Sequence, residues 1–127
     1  MLTIMVVEDE TLLIQAITKK MEINNIKTIS CTDGQQVLDY LNKDSNSLPD
    51  AIWLDYHLNG MDGLEVMNNL KKNSKWSSIP VFVVSNSVGP EKVTSMLALG
   101  AKRYILKAEH RLDEIIIIII NFINDIN

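Results

Sequence analysis

Five polar residues, far apart in the chain, each stand where a short apolar run stops. Glu8 and Asp9 follow TIMVV, Asp55 follows AIWL, Ser85 follows VFVV and Lys107 follows RYIL. Three carboxyls, one hydroxyl and one ammonium suit the joint binding of a divalent metal and a phosphoryl group. A hard cation such as Mg2+ takes oxygen ligands in near-octahedral geometry and keeps several waters. A half-buried carboxylate such as Asp55 can attack phosphorus as a nucleophile. Close carboxylates repel one another, so a cation is needed to hold them together. A Ser85 hydroxyl can hydrogen-bond a phosphoryl oxygen, and a Lys107 ammonium can act as counter-charge and donor. Taken singly, each residue has a plainer use. Glu8 and Asp9 suit a solvated turn or the cap of a helix opening at ETLLIQ. Asp55 suits a cap or turn, Ser85 a turn and Lys107 a solvated strand end. Only their convergence would make a site.

The elements that must bring them together are legible as alternating patterns. TIMVV (3–7), IKTIS (26–30), AIWL (51–54), VFVV (81–84) and KRYIL (102–106) read as strands. Thr11–Asn24, Asp33–Asn42, Asp62–Asn73, Pro90–Leu99 and Leu112–Ile126 read as helices, with apolar residues near the helical period. In the first helix those residues are Leu12, Leu13, Ala16, Ile17, Met21 and Ile23. Pro90 stands where an early helical position tolerates proline, and Gly100 is placed to end its helix. Apolar, β-branched strands separated by helices predict βαβ units and a parallel sheet covered on both faces. The fold class is therefore α/β, a three-layer α/β/α sandwich of five parallel strands and five helices. In such sheets ligands bind just outside the carboxyl ends of the strands, where the five polar residues stand.

Size and composition narrow the function. A chain of 127 residues suits one domain with a single core, spanning 1–127. A net charge of −4 argues against direct nucleic-acid binding, which favours a basic face. One cysteine, Cys31 in the apolar stretch KTISCT, cannot form an internal disulfide; it reads as a buried structural thiol and fits a reducing, cytoplasmic setting. MLTIMVVEDE lacks a basic n-region and turns acidic at once, unlike a signal peptide. The longest apolar block, Ile115–Ile120 with Phe122 and Ile123, falls well short of the roughly 20 residues of a membrane span.

Taken jointly, the motifs resemble the receiver domain of two-component response regulators over essentially the whole chain. VVEDE carries the acidic pair, WLDYHLNGMDGLE the D-x-x-x-x-x-M-D-G segment, PVFVVSNS the strand ending in the Ser/Thr switch, and LGAKRYILK the lysine with the switch aromatic three residues before it. The resemblance implies a flavodoxin-like, doubly wound sheet of order 2-1-3-4-5. It implies that Asp55 accepts a phosphoryl group from a histidine kinase or histidine phosphotransfer protein. Glu8, Asp9 and Asp55 would bind Mg2+, with the backbone carbonyl of His57 as a further ligand. Ser85 and Lys107 would bind the phosphoryl oxygens, and Ser85 and Tyr104 would move together as the switch. Tyr104 reads otherwise as a core aromatic, and the His57 side chain as a loop residue able to shape water access.

Several positions depart from the family pattern. Asn59 and Ala108 replace common prolines, Asn86 replaces a small residue, and Glu8 lengthens the first acid. Without proline, the Lys107–Ala108 bond is expected to be trans, since a cis bond there costs roughly 3–4 kcal/mol. The sequence as given carries no output module, so it reads as a stand-alone receiver or a piece of a longer regulator. Its only chemistry would be its own phosphorylation and dephosphorylation, so it is not an enzyme acting on a separate substrate. A small aspartate-nucleophile phosphohydrolase would want a second acid where His57 stands. A flavin binder would need a hydroxyl- and Gly-rich loop where VVEDETL is acidic. A phosphorylation-independent pseudo-receiver would normally have lost one of the five residues. Finally, six isoleucines in a row cannot all face inward from one helix. Ile117 and Ile118 are therefore expected to form an exposed patch beside the surface of helix four, strand five and helix five, for a downstream protein or a second copy of the chain.

Overall fold

The computed structural model describes residues 1–125. The elements run β1 Thr3–Val7, α1 Thr11–Ile23, β2 Lys27–Cys31, α2 Gly34–Asn42, β3 Ala51–Leu54 and α3 Gly63–Lys72. They continue with β4 Val81–Ser85, α4 Pro90–Ala98, β5 Arg103–Leu106, a 3-10 turn Lys107–Glu109 and α5 Leu112–Asp125. All strand pairings are parallel, in the order β2-β1-β3-β4-β5. The chain is thus the expected five-stranded, doubly wound α/β fold.

Alternation along the strands divides the core between the two faces of the sheet. Met5, Val7, Ile52, Leu54, Val81 and Val83 point to one face and pack with Val37 and Leu41 of α2, Val66, Met67 and Leu70 of α3 and Met96 of α4. Ile4, Val6, Trp53, Phe82, Val84 and Ile105 point to the other and pack with Ile17 and Met21 of α1 and Ile115, Ile116, Ile119 and Ile123 of α5. Burial on both faces explains why β1, β3 and β4 read as continuous apolar runs. Helix boundaries follow local chemistry. Asp33 caps α2 by accepting from the Gln36 N–H at 2.8 Å, and Asp62 caps α3 by accepting from the Glu65 N–H at 2.9 Å. Pro90 opens α4, and Gly100 follows it with φ of +106°, a left-handed conformation that glycine adopts without a Cβ clash.

Some expectations shift. β2 lies one residue later than 26–30, because its parallel register pairs Thr3–Val7 with Lys27–Cys31. Ile26 closes α1 instead, donating its N–H to the Met21 carbonyl at 2.9 Å. In α1 the inward stripe is Ile14, Ile17 and Met21, whereas Leu12 and Ile23 are 80 % and 77 % exposed. The two exposed residues are eleven apart, so at about 100° per residue they share the outward side. In α5, Ile115, Ile116, Ile119 and Ile123 face inward as the periodicity requires, while Ile126 lies outside the described residues. Of the two isoleucines expected in an exposed patch, Ile117 is exposed and Ile118 only partly so, and they border different grooves. Ile117 borders a shallow groove with Lys20, Ile23, Asn24 and Asp113 on the α1 side; Ile118 borders another with Arg103, Asn121 and Phe122 on the β5 side. Among the described residues every peptide bond is trans, Lys107–Ala108 included, and no helix is long and apolar enough to cross a membrane.

Candidate functional site

The parallel register aligns the carboxyl ends of β1, β3, β4 and β5 at one edge of the sheet. Glu8 follows β1 and donates its N–H to the Cys31 carbonyl at 3.0 Å; Asp55 follows β3 and donates its N–H to the Val7 carbonyl at 3.0 Å. These ladder bonds fix both backbones side by side. Glu8, Asp55 and Ser85 are the only buried polar or charged residues among those described, at 0 %, 4 % and 0 % exposure. Their side chains are hydrogen-bonded, Asp55 to Ser85 directly and Glu8 to Asp55 through Lys107, as burial demands. Ser85 Oγ donates to Asp55 Oδ1 at 2.7 Å. Lys107 Nζ donates to Glu8 Oε1 at 2.5 Å and to Asp55 Oδ2 at 3.1 Å. Asp9 is half-buried beside them. It is not the cap of α1: that position falls on Glu10, which makes no side-chain cap bond. All five residues therefore converge.

The approach of α3 completes the edge. Gly63 donates its N–H to the Tyr56 carbonyl at 2.9 Å. A Cβ on Gly63 would lie 2.7 Å from the Tyr56 Cα and 3.1 Å from the Asp55 carbonyl oxygen. The D-G pair of the sequence thus does two jobs, Asp62 capping α3 and Gly63 letting it reach the end of β3.

Three carboxyls against one ammonium leave an excess of negative charge in a largely buried place. Burial, with the Asp55 carboxylate alongside, pushes the Glu8 carboxyl from an ordinary 4.5 up to about 7, and Lys107 does not offset this. For Asp55, burial acts upward too, but Glu8, the Ser85 hydroxyl and Lys107 together outweigh it and hold the carboxyl below its usual range. Burial would lower the Lys107 ammonium; Glu8 and Asp55 outweigh that and hold it above its usual value. Glu8, Asp9 and Asp55 each offer a carboxylate oxygen, all within 4.8 Å of one another. Such a hard-oxygen set, overcharged and clustered, fits a divalent cation of the Mg2+ class.

The family model of the response regulator receiver domain matches residues 4–119. The chain belongs to this family. It is 30% identical over 104 residues to the two-component response regulator ORR8 of Oryza sativa subsp. japonica, an alignment covering 82% of this chain and 84% of that protein. Among solved structures, the Francisella response regulator 1452 receiver domain superposes with a TM-score of 0.85 at 25% identity, covering 100% of both chains. The phosphorylated cyanobacterial phytochrome response regulator RcpA superposes with a TM-score of 0.76 at 29% identity, covering 83% of this chain and 79% of that one.

In this receiver domain Tyr104 is half-buried, not a full core residue. Its ring packs on the core while its hydroxyl donates to the Asn86 carbonyl at 2.9 Å. His57 donates its backbone N–H to Asp55 Oδ1 at 3.1 Å. Its ring Nε2 lies 3.1 Å from the Ser87 carbonyl, a contact sequence reasoning missed. No sequence signal marks it, because it joins two loops 30 residues apart.

Proposed function

We propose that this chain, across 1–127, is the phosphorylation-dependent switch of a two-component system, working in the cytoplasm. Asp55 accepts a phosphoryl group from a histidine kinase or histidine phosphotransfer protein. The observation that carries this reading is the pairing of Asp55 with both Ser85 Oγ and Lys107 Nζ, inside an acid cluster suited to a divalent ion. A carboxylate held by only a cap or turn would need neither. An Asp55 oxygen attacks phosphorus, the P–N bond of the donor phosphohistidine breaks, and the imidazole nitrogen leaves. In the reverse half of the cycle a water oxygen bonds to phosphorus and the Asp55 carboxylate leaves.

Glu8, Asp9 and Asp55, with the His57 backbone carbonyl, would hold Mg2+, which supplies charge neutralisation and orientation at the phosphoryl oxygens. Ser85 and Lys107 donate to those oxygens. Lys107 is tied to both Glu8 and Asp55, so it is pre-positioned where charge develops. Ser85 and Tyr104 then carry the change outward to a protein partner, or a second copy, on the α4–β5–α5 face. The test is intact mass after incubation with acetyl phosphate and Mg2+. A gain of one phosphoryl group that needs the metal and is absent in Asp55→Asn supports the reading. Equal labelling of that variant overturns it.

A further inference from the structure

Three consecutive residues, Ser85 to Ser87, are held by three different elements. Ser85 Oγ donates to Asp55 Oδ1 at the end of β3. The Asn86 carbonyl accepts from Tyr104 of β5. The Ser87 carbonyl faces His57 Nε2 of the β3–α3 loop at 3.1 Å. A carbonyl oxygen can only accept, so this last contact requires the ring proton on Nε2. The ring is also braced by Tyr56, which meets it edge to face with centroids 5.1 Å apart. The His57 backbone N–H is bonded to Asp55 Oδ1, the same atom that accepts from Ser85. Both ends of the His57–Ser87 contact therefore lead back to one oxygen of Asp55.

We infer that the His57 imidazole is a latch that holds the β4–α4 loop in the position belonging to an unmodified Asp55, and that its release is a step of the switch. The inference rests on the reading of Asp55 as phosphoacceptor. A phosphoryl group on Asp55 offers Ser85 a new acceptor farther out. Ser87, two residues along the same loop, follows any shift of Ser85. His57 is not carried with Ser85: it belongs to the β3–α3 loop, anchored by its own N–H on Asp55 Oδ1 and by the Gly63 N–H on the Tyr56 carbonyl. The latch then opens. Because it exists in the resting form alone, it favours that form. A net hydrogen bond of ordinary strength shifts the resting-to-switched ratio about threefold to tenfold. The imidazole touches no reacting atom and acts by positioning Ser87.

Two measurements test this. In the wild-type chain, ring 15N NMR should show His57 with the proton on Nε2, and beryllofluoride with Mg2+ should abolish that single-tautomer signature. In a titration with beryllofluoride at saturating Mg2+, His57→Ala should reach half-conversion at a concentration about threefold to tenfold lower than wild type, read from the amides of residues 86–89. Those amides should also move toward their switched positions without the analogue. His57→Gln keeps a side-chain N–H donor at similar reach and should return toward wild type. A wild type that responds, with an unchanged midpoint and amides in His57→Ala, overturns the latch and leaves the phosphoacceptor reading intact. A wild type in which neither beryllofluoride nor acetyl phosphate changes any amide near Asp55 overturns both.

Discussion

The chemistry of single residues at the site is set by burial and by the shortage of positive charge. Among the described residues Lys107 is the only cation bonded to Glu8 and Asp55. Lys107→Ala should therefore leave Mg2+ affinity equal or slightly tighter while impairing phosphorylation-driven amide shifts; wild-type-like shifts in the variant would contradict its role. Glu8 carries a pH dependence of definite sign. Its carboxyl is raised from 4.5 to about 7 in the fold, so the folded state holds a proton that the unfolded chain has released. Metal-free stability should fall as pH climbs from 4.5 to 7. Mg2+ must displace that proton, so its affinity should weaken as pH drops below about 7. Denaturant melts and Mg2+ titrations across this range check both, and Glu8→Gln should flatten them. Cys31 is a separate case. Burial pushes its thiol up to about 11, so it should resist iodoacetamide at pH 8 in the folded chain and react on unfolding.

At the scale of elements, the site depends on how closely α3 approaches β3. Gly63→Ala would drive a Cβ against the Tyr56 backbone at 2.7 Å, where no flexible side-chain end can yield. A loss of about 1–3 kcal/mol is expected from such overpacking, together with weaker Mg2+ binding, because Asp55 and Tyr56 must shift. Asp62→Ala removes the cap and the acceptor that holds the Tyr56 hydroxyl at 3.3 Å, but adds no clash at the Tyr56 backbone; it should cost about 1 kcal/mol with metal binding largely kept. Thermal melts and Mg2+ titrations of the pair separate the two effects. Equal metal affinity in Gly63→Ala and wild type would show that the close approach is not needed for the site. Element types were readable because period-two and period-3.6 patterns are local. The boundaries at Asp33, Asp62, Pro90 and Gly100 were readable because capping and left-handed backbone are properties of single residues.

Across the whole molecule, the sheet separates the site edge from two helical surfaces, and α5 shows both. Ile118 borders the β5 side and Ile117 the α1 side. If switching promotes pairing with a second copy through α4–β5–α5, Ile118→Lys should abolish the beryllofluoride-dependent gain in sedimentation coefficient, and Ile117→Lys should not. The opposite result would move the interface to α1 and α5. The sequence by itself determined the parallel α/β class and the ends of strands at which Glu8, Asp9, Asp55, Ser85 and Lys107 stand, because strand patterns and turn residues act over a few positions. It also determined that six consecutive isoleucines must expose some of their number, since a helix turns about 100° per residue. Only the tertiary structure decided that Leu12 and Ile23 face outward, that β2 starts at Lys27 and that Tyr104 reaches Asn86 while His57 reaches Ser87. Each of these depends on which surface packs against which, and on contacts between residues distant along the chain, which no local pattern encodes.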